Sequence, residues 1–271
     1  MPSADDVARH ARQHPLETLG RVGYAVKGVL YVLVGLLALD AARGGGDPEG
    51  QTGTFEAIAQ TSWGPAVLWT LVVGLAAYAA WRVALAVLDP EAEGDDAEGI
   101  VQRVFYAVSA IAYGGLAYSA YKVVTGVGAD EGGTEDRAQT LLGLPGGRWL
   151  VGLAALGLLA YGVWQFVRAY KVSFMNHFRL EGVAARRRDL VRRAGQGGLA
   201  ARGVVYLLAG GFMSLAALHA NSEEAGGLDQ ALGTLQRQPA GPWLLGAVAL
   251  GLILYGVYCG VNAAYRRYEG Q

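Results

Sequence analysis

Six tyrosines and three basic residues lie at matching points of long apolar segments, where their chemistry stands out. The tyrosines are Tyr31, Tyr113 and Tyr206 in one aligned set and Tyr78, Tyr161 and Tyr255 in a second; the basic residues are Lys27, Arg82 and Arg202. A hydroxyl group in hydrocarbon needs a hydrogen-bond partner, and a cation there is costly unless an anion accompanies it. These nine residues therefore predict either a polar layer inside a membrane bundle or a pathway through it.

The two rows of basic residues are not symmetric between the aligned segments. One aligned position holds Lys27, Ser109 and Arg202, and another holds Arg82, Gln165 and Cys259. Long cationic side chains near the end of a membrane helix usually extend to the lipid headgroups. The alternative is that they face the centre of the bundle and attract anions or lipid phosphates. No acidic residue recurs at these heights to neutralise them.

Glycines accompany the tyrosines at helical spacing. The recurring positions are Gly28, Gly35, Gly74, Gly157, Gly203, Gly210 and Gly251. Small residues allow helices to approach closely in lipid, so these glycines predict the packing seam of each helical hairpin. The tyrosines lie roughly 15 Å from the helix ends, which places their layer near the middle of the membrane. They can serve only as packing, or they can line a cavity.

The segments that carry these residues are long enough to span a bilayer. The six stretches are 22–41, 64–88, 103–124, 149–170, 199–219 and 242–264. Crossing a hydrocarbon core takes roughly 20 helical residues. The chain is 53% hydrophobic and only 17% charged, which excludes an ordinary soluble domain. The sequence predicts an all-α integral membrane protein with six transmembrane helices.

The six segments form three copies of one helical hairpin. GVLYVLVG (28–35), AIAYGGLA (110–117) and GVVYLLAG (203–210) align, as do GLAAYAAW (74–81), GLLAYGVW (157–164) and GLILYGVY (251–258). Three parallel two-helix repeats predict a pseudo-threefold arrangement, with a staggered row as the alternative. The predicted parts are an N-terminal segment (1–18), repeat 1 (19–89), repeat 2 (100–170), a basic connector (171–198) and repeat 3 (199–268). A short amphipathic stretch before each second helix is either re-entrant or lies on the membrane surface.

The basic residues are unevenly distributed between the two sides. Seventeen of the 22 Lys and Arg residues lie on the side of the termini. The positive-inside rule therefore predicts cytoplasmic termini. The abundance of Gly and Ala, with Arg greatly outnumbering Lys, is consistent with a high-GC bacterial genome, and so with the cytoplasmic membrane of a bacterium. Within the connector, Arg186, Arg187, Arg188, Arg192 and Arg193 are predicted to contact anionic lipid headgroups.

The chain lacks the usual signatures of catalysis. Its four histidines are scattered, and no metal-ligand spacing, phosphate-binding loop or nucleophile motif occurs. We therefore expect no enzyme activity, no cofactor and no metal. Nucleic-acid binding is not expected either, because the basic connector is short and tethered to the membrane. The oligomeric state is open.

The second helix of each repeat carries a family resemblance. GLLAYGVW and GLILYGVY, with the preceding LLGLPGG (141–147), resemble the bacterial membrane family called "domain of unknown function 1206". The resemblance covers residues 19–268, and the first copy departs from it by having Ala79 where the others have glycine. It implies six transmembrane helices and no established activity, so it assigns no functional residue.

Two hypotheses of function follow. The first is a small channel, carrier or lipid-binding protein whose pathway lies between the repeats and serves a small anionic solute or a lipid. The second is a structural or accessory membrane scaffold with a packed interior. They differ in where the tyrosine hydroxyls and the basic side chains point.

Overall fold

The computed structural model describes residues 4–89, 96–127, 134–178 and 185–266 of the chain. These residues form α1 (Ala4–Ala42), α2 (Gln51–Ala59), α3 (Gly64–Leu88), α4 (Ala97–Thr125), α5 (Thr134–Leu142), α6 (Gly147–Lys171), α7 (Ala185–His219), α8 (Leu228–Gln236) and α9 (Gly241–Tyr265). Two short 3-10 helices, Ser173–His177 and Ser222–Glu224, precede α7 and α8. The described part contains no named β-strand.

Six of these helices, α1, α3, α4, α6, α7 and α9, are long and apolar enough to cross a membrane. The prediction of an all-α protein with six transmembrane helices is confirmed. The first helix of repeats 1 and 3 begins earlier than predicted: α1 starts at Ala4 and α7 at Ala185, inside the segments predicted to be terminal and connecting. These extensions are polar, so hydropathy alone does not reveal them.

Each return helix begins at a glycine for a steric reason. A Cβ atom on Gly64, Gly147 or Gly241 would overlap a carbonyl oxygen at or near the end of the preceding short helix. Pro65 and Pro242 follow at the first turn, where the missing N–H of proline removes no helical hydrogen bond. The short helix, the tight turn and the membrane helix therefore form one continuous unit in every repeat.

The repeats are joined by the same contact three times. The second helix of each repeat packs along the first helix of the next: α3 on α4, α6 on α7, and α9 back on α1. The last of these contacts brings repeat 3 back against repeat 1, so the three repeats form a ring in which each contacts the other two, and a staggered row is excluded. The prediction of a pseudo-threefold arrangement is confirmed.

Packing inside the repeats is not symmetric. In repeat 1, α1 packs against α3, and in repeat 3, α7 packs against α9. In repeat 2, α4 and α6 do not pack along their length. The ring therefore has one lateral opening, between the two helices of the middle repeat.

The glycines lie at two kinds of seam rather than only at the seam of each hairpin. Gly28 and Gly35 contact α9, and Gly203 and Gly210 contact α6, so all four join neighbouring repeats. Gly74 contacts Val26 and Gly251 contacts Ala201 within their own hairpins. The predicted contact of Gly157 is absent, because nothing lies within 4 Å of the place where its Cβ would be.

The α1–α9 seam gives a prediction of stability. A Cβ atom on Gly256 would lie 2.7 Å from the carbonyl oxygen of Gly28 and 2.6 Å from Val32. We expect Gly256→Ala to lower the free energy of unfolding by about 1–3 kcal/mol, because the two backbones must separate. Gly260→Ala, one turn further along α9 with nothing within 4 Å, is the matched control and should be neutral or stabilising. Unfolding in detergent by titration with a denaturing surfactant measures both, and equal values would contradict the close approach.

Apolar side chains fill part of each end of the bundle. At the end where α1 begins and α9 ends, hereafter the terminal side, the fully buried Phe174 packs edge-on against Tyr258 at 5.3 Å. At the opposite end, hereafter the loop side, α2 buries Phe55 and Ile58 within the bundle. The side chain of Gln51, at the start of α2, lies 3.5 Å from the hydroxyl of Tyr31. The N-terminus of α2 thus extends inward as far as the tyrosine layer.

Candidate functional site

The six tyrosines form three edge-to-face pairs around the centre of the bundle. The ring centroids are 4.8 Å apart for Tyr31 and Tyr255, 4.7 Å for Tyr78 and Tyr113, and 4.9 Å for Tyr161 and Tyr206. Each pair joins the second helix of one repeat to the first helix of the next. The aligned sequence positions therefore become one layer with approximate threefold symmetry, and edge-to-face contact stabilises each pair.

Lys27 lies among these rings. Its side chain is only 3% exposed, and Nζ donates a hydrogen bond to the Tyr78 hydroxyl at 3.1 Å. Nζ also lies 4.5 Å from the Tyr113 ring centroid and 4.7 Å from that of Tyr78. Aromatic faces attract a cation, and so they partly replace the water that Lys27 loses on burial.

Arg202 occupies the equivalent position of repeat 3 and is 5% exposed. Its Nη1 donates to the hydroxyl of Tyr255 at 2.6 Å, and its Nη2 donates to that of Tyr206. Arg202 and Lys27 both contact the ring of Tyr255, at 4.3 and 5.6 Å, so the two charges are at most about 10 Å apart.

Arg82 approaches the same layer from α3. Its Nε and Nη2 donate to the hydroxyl of Tyr78 at 3.0 and 2.6 Å. The hydroxyl of Tyr78 therefore accepts hydrogen bonds from two cationic side chains. The ring centroid of Tyr106 lies 5.1 Å from Cζ of Arg82.

No carboxylate accompanies these cations among the described residues. The ion pairs of the described residues, such as Arg21 with Glu17 and Arg193 with Asp189, lie elsewhere. Side chains of this kind usually extend to the lipid headgroups, but Lys27 and Arg202 do not. Tyrosine hydroxyls and rings hold them in the interior. We call Lys27, Arg82, Arg202 and the six tyrosines the cation–tyrosine cluster.

Repeat 2 supplies uncharged polar groups to this cluster. Within the described part of the chain, the hydroxyls of Ser109, Tyr113 and Tyr161 have no hydrogen-bond partner. The same holds for both amide atoms of Gln165, which is fully buried, and for Nε of Arg202. Buried polar groups are normally hydrogen-bonded, so this side of the cluster has unused capacity.

Sequence reasoning missed part of the aromatic wall. Tyr24 packs on Tyr78 at 5.3 Å and Tyr106 on Arg82, yet neither was a candidate. Both lie three residues before the aligned Lys27 and Ser109, on the same helix face. This three-residue spacing could have identified both tyrosines from the sequence.

The arginines predicted to contact lipid headgroups lie on the N-terminal part of α7. Arg186, Arg188, Arg192 and Arg193 are exposed there, and Arg193 pairs with Asp189 at 3.0 Å. The side chain of Arg187 lies outside the described residues.

A wide cavity of roughly 760 Å³ opens on the loop side and has a different charge. Its lining includes six carboxylates, from Asp47, Glu49, Glu56, Glu135, Glu223 and Asp229, and two basic residues, Lys122 and Arg237. Partial burial and the neighbouring Glu56 raise the pKa of Glu49, so the carboxylates here repel one another. The cavity therefore disfavours anions.

Three segments of the chain, residues 22–89, 104–172 and 197–266, match the model of one family, described as Domain of Unknown Function (DUF1206). The chain belongs to this family. An uncharacterised protein of Bacillus subtilis (strain 168), YxxB, is 30% identical over 253 residues, which cover 93% of this chain and 91% of that protein. No solved structure matches the chain. Each matched DUF1206 segment contains one hairpin and one position of each tyrosine set, so every copy of the domain supplies two tyrosines to the cluster.

Proposed function

We propose that this multi-pass membrane protein is not an enzyme and binds an anionic group at the cation–tyrosine cluster. The ligand oxygens accept hydrogen bonds from Lys27, Arg82 and Arg202, as those of a carboxylate or phosphate do. The observation that carries the proposal is the burial of cationic side chains with no carboxylate beside them among the described residues.

The energetics support a ligand of this charge. At a separation of about 10 Å and an effective dielectric constant of about 20, two like charges repel by roughly 1–2 kcal/mol. Tyrosine hydroxyls and rings offset part of the desolvation of the cations, but they carry no negative charge to cancel this repulsion. An anion cancels it, and its oxygens can also accept hydrogen bonds from Tyr113, Tyr161 and Gln165.

The proposal includes a location. Because 17 of the 22 Lys and Arg residues belong to the sequence segments predicted to lie on the side of the termini, we place the protein in the cytoplasmic membrane with both termini in the cytoplasm. The cluster then lies between the membrane centre and the cytoplasmic face. A carrier, a channel or a lipid-binding protein would use such a site.

The alternative function is a structural scaffold. The edge-to-face tyrosine pairs favour it, because they join the repeats tightly at 4.7–4.9 Å. In a scaffold the cations only crosslink helices through hydroxyl groups. The proposed function predicts that the protein binds an anion at the cluster, and the scaffold function does not.

The test measures the stabilisation of the purified protein by inorganic phosphate in an uncharged detergent at constant ionic strength. We expect phosphate to raise the unfolding temperature of the wild type in a saturable manner. The double variant Lys27→Met, Arg202→Met should bind phosphate at least tenfold more weakly, since each hydrogen bond to a charged group contributes about 1.5–3 kcal/mol.

The control is Arg186→Met, Arg192→Met, which removes the same number of cations from exposed positions on α7. It should keep the wild-type response. A wild type that phosphate does not stabilise would refute the proposal and favour the scaffold. If both double variants lose the response equally, the binding is a general effect of surface charge.

A further inference from the structure

The opening between α4 and α6 has a local cause in one side chain. In repeats 1 and 3, the contact between the two membrane helices of the hairpin begins at an aligned glycine, Gly23 in α1 and Gly198 in α7. A Cβ atom on Gly23 would lie 2.6 Å from Cβ of Tyr78, and one on Gly198 would lie 2.6 Å from Cα of Tyr255. Repeat 2 has Phe105 at this position, and its ring packs on that of Tyr161 at 5.9 Å. Phe105 thus fills the space through which the other hairpins close.

The consequence is visible one turn further along the helices. Val26 contacts Gly74 in repeat 1, and Ala201 contacts Gly251 in repeat 3. Their counterparts in repeat 2 are Val108, which is 59% exposed, and Gly157, which has no neighbour within 4 Å. A cleft, defined here by Phe105, Val108, Gly157 and Tyr161, therefore faces the hydrocarbon region of the bilayer.

The cleft leads to the polar groups of the cluster. Tyr161 and Tyr206 are half-buried, whereas Tyr31, Tyr78 and Tyr255 are buried. Tyr206 accepts a hydrogen bond from Arg202. Of the groups with unused hydrogen-bonding capacity, Ser109 and Tyr161 are thus partly exposed on this side of the cluster, whereas Tyr113 and Gln165 are buried.

The order of groups along α6 matches the orientation of a lipid. Gly157, in the cleft, lies roughly 12 Å further from the terminal side than Gln165, at the level of the cations. A lipid of the terminal-side leaflet has its acyl chains toward the membrane centre and its headgroup toward that side. Its chain would lie beside Gly157 while its headgroup lies at the depth of Gln165 and Arg202.

The other routes to the cluster suit an anion less well. The loop-side cavity is lined mainly by carboxylates, and Gln51 lies between it and Tyr31. The terminal side is covered by the buried side chains of Phe174 and Phe178. An anion from water would have to pass one of these barriers, whereas a lipid reaches the cleft directly from the bilayer.

We infer that the ligand of the cluster is an anionic lipid, which enters between α4 and α6 with its headgroup on Arg202 and Lys27 and an acyl chain in the cleft. This inference rests on the proposed function and names the class of its ligand. The exposed arginines on α7 would raise the local concentration of such lipids at the terminal side.

The experiment compares phosphatidylglycerol with phosphatidylcholine of the same acyl chains, titrated onto delipidated protein and measured by native mass spectrometry. Phosphate stabilisation is measured on the same samples. The cleft is blocked by Gly157→Trp, a position where nothing lies within 4 Å. Gly260→Trp is the matched control, because Gly260 is also exposed and without neighbours, but on α9.

We expect the wild type to bind phosphatidylglycerol at least tenfold more tightly than phosphatidylcholine. Gly157→Trp should lose this tenfold preference and keep its phosphate response within twofold, while Gly260→Trp should behave as the wild type. The Lys27→Met, Arg202→Met variant should lose both responses.

Wild-type binding of phosphatidylglycerol by Gly157→Trp would overturn the cleft route. Loss of the phosphate response in Gly157→Trp would do so as well, because the block would then act on the cluster itself. A wild type that responds to phosphate but does not prefer phosphatidylglycerol would overturn the lipid inference and leave the proposed function standing. Failure of both responses in the wild type would refute the proposed function.

Discussion

Tyr78→Phe is expected to destabilise the protein by about 3–5 kcal/mol, although it removes a single oxygen atom. That oxygen accepts hydrogen bonds from Lys27 Nζ, Arg82 Nε and Arg82 Nη2. Each hydrogen bond to a charged group contributes about 1.5–3 kcal/mol, and Lys27 would stay buried without the acceptor that it has among the described residues. The edge-to-face contact with Tyr113 survives the substitution, so the loss reports on the hydroxyl group alone.

The matched control is Tyr113→Phe, on the other member of the same pair. Its hydroxyl has no hydrogen-bond partner among the described residues, while its ring lies 4.5 Å from Lys27 Nζ as a cation–π partner. We expect this variant to lose less than about 1 kcal/mol. The measurement is the free energy of unfolding in detergent without added anion. Equal losses in the two variants would contradict the assignment of the Tyr78 hydroxyl as the shared acceptor of Lys27 and Arg82.

The difference between these two tyrosines could not be predicted from the sequence. Tyr78 and Tyr113 belong to aligned sets and have similar apolar neighbours. They differ in whether the hydroxyl group lies next to a cationic side chain. That position depends on the rotation of each helix about its axis. A helix that is apolar nearly all round gives no indication of this rotation, because hydrophobic periodicity is absent.

The parts of the fold that could be predicted depend on length and local chemistry. Six spans follow from hydropathy, and the ring follows from three parallel copies of one hairpin. The start of each return helix follows from recurring residues such as Gly64 and Pro65. The helical extensions of α1 and α7 could not be predicted from hydropathy, because their residues are polar.

The positions of Lys27 and Arg202 show a second limit of sequence reasoning. Side chains of this length can reach either the headgroups or the bundle centre from the same backbone position. The outcome depends on what surrounds them, and here tyrosines from several helices supply acceptors and aromatic faces. Aligned positions reveal the candidates, but they do not reveal this convergence.

The cluster and the cleft together indicate a division of roles between the repeats. Repeats 1 and 3 supply Lys27, Arg82 and Arg202 and close their hairpins through glycine. Repeat 2 has Ser109 and Gln165 in place of cations, and its open hairpin has Phe105 where the others have glycine. Loss of charge and loss of closure therefore occur in the same copy, as expected if that copy admits the ligand that the others bind.

Glycine in the closed repeats (Gly23, Gly198) and phenylalanine in the open repeat (Phe105) occupy the same aligned position. Exchanging these residue types should have opposite consequences in the closed and the open repeats. Gly198→Phe is expected to cost more than about 4 kcal/mol or to prevent folding, because a Cβ atom there would lie 2.6 Å from the Tyr255 backbone. Separation of α7 from α9 would also break the hydrogen bond from Arg202 to Tyr255. Unfolding in detergent measures the loss, and Gly211→Phe, at a position on the same helix with nothing within 4 Å, is the control.

The reverse exchange, Phe105→Gly, removes only a packed ring and should cost less than Gly198→Phe while allowing α4 and α6 to approach. Spin labels at Ile111 and Leu153, both exposed, report the separation in a Cys259→Ala background. We expect their distance to shorten by a few ångströms, toward helix axes about 8–10 Å apart. If the distance is unchanged, Phe105 does not hold the cleft open, and the opening must arise from the ring of helices as a whole.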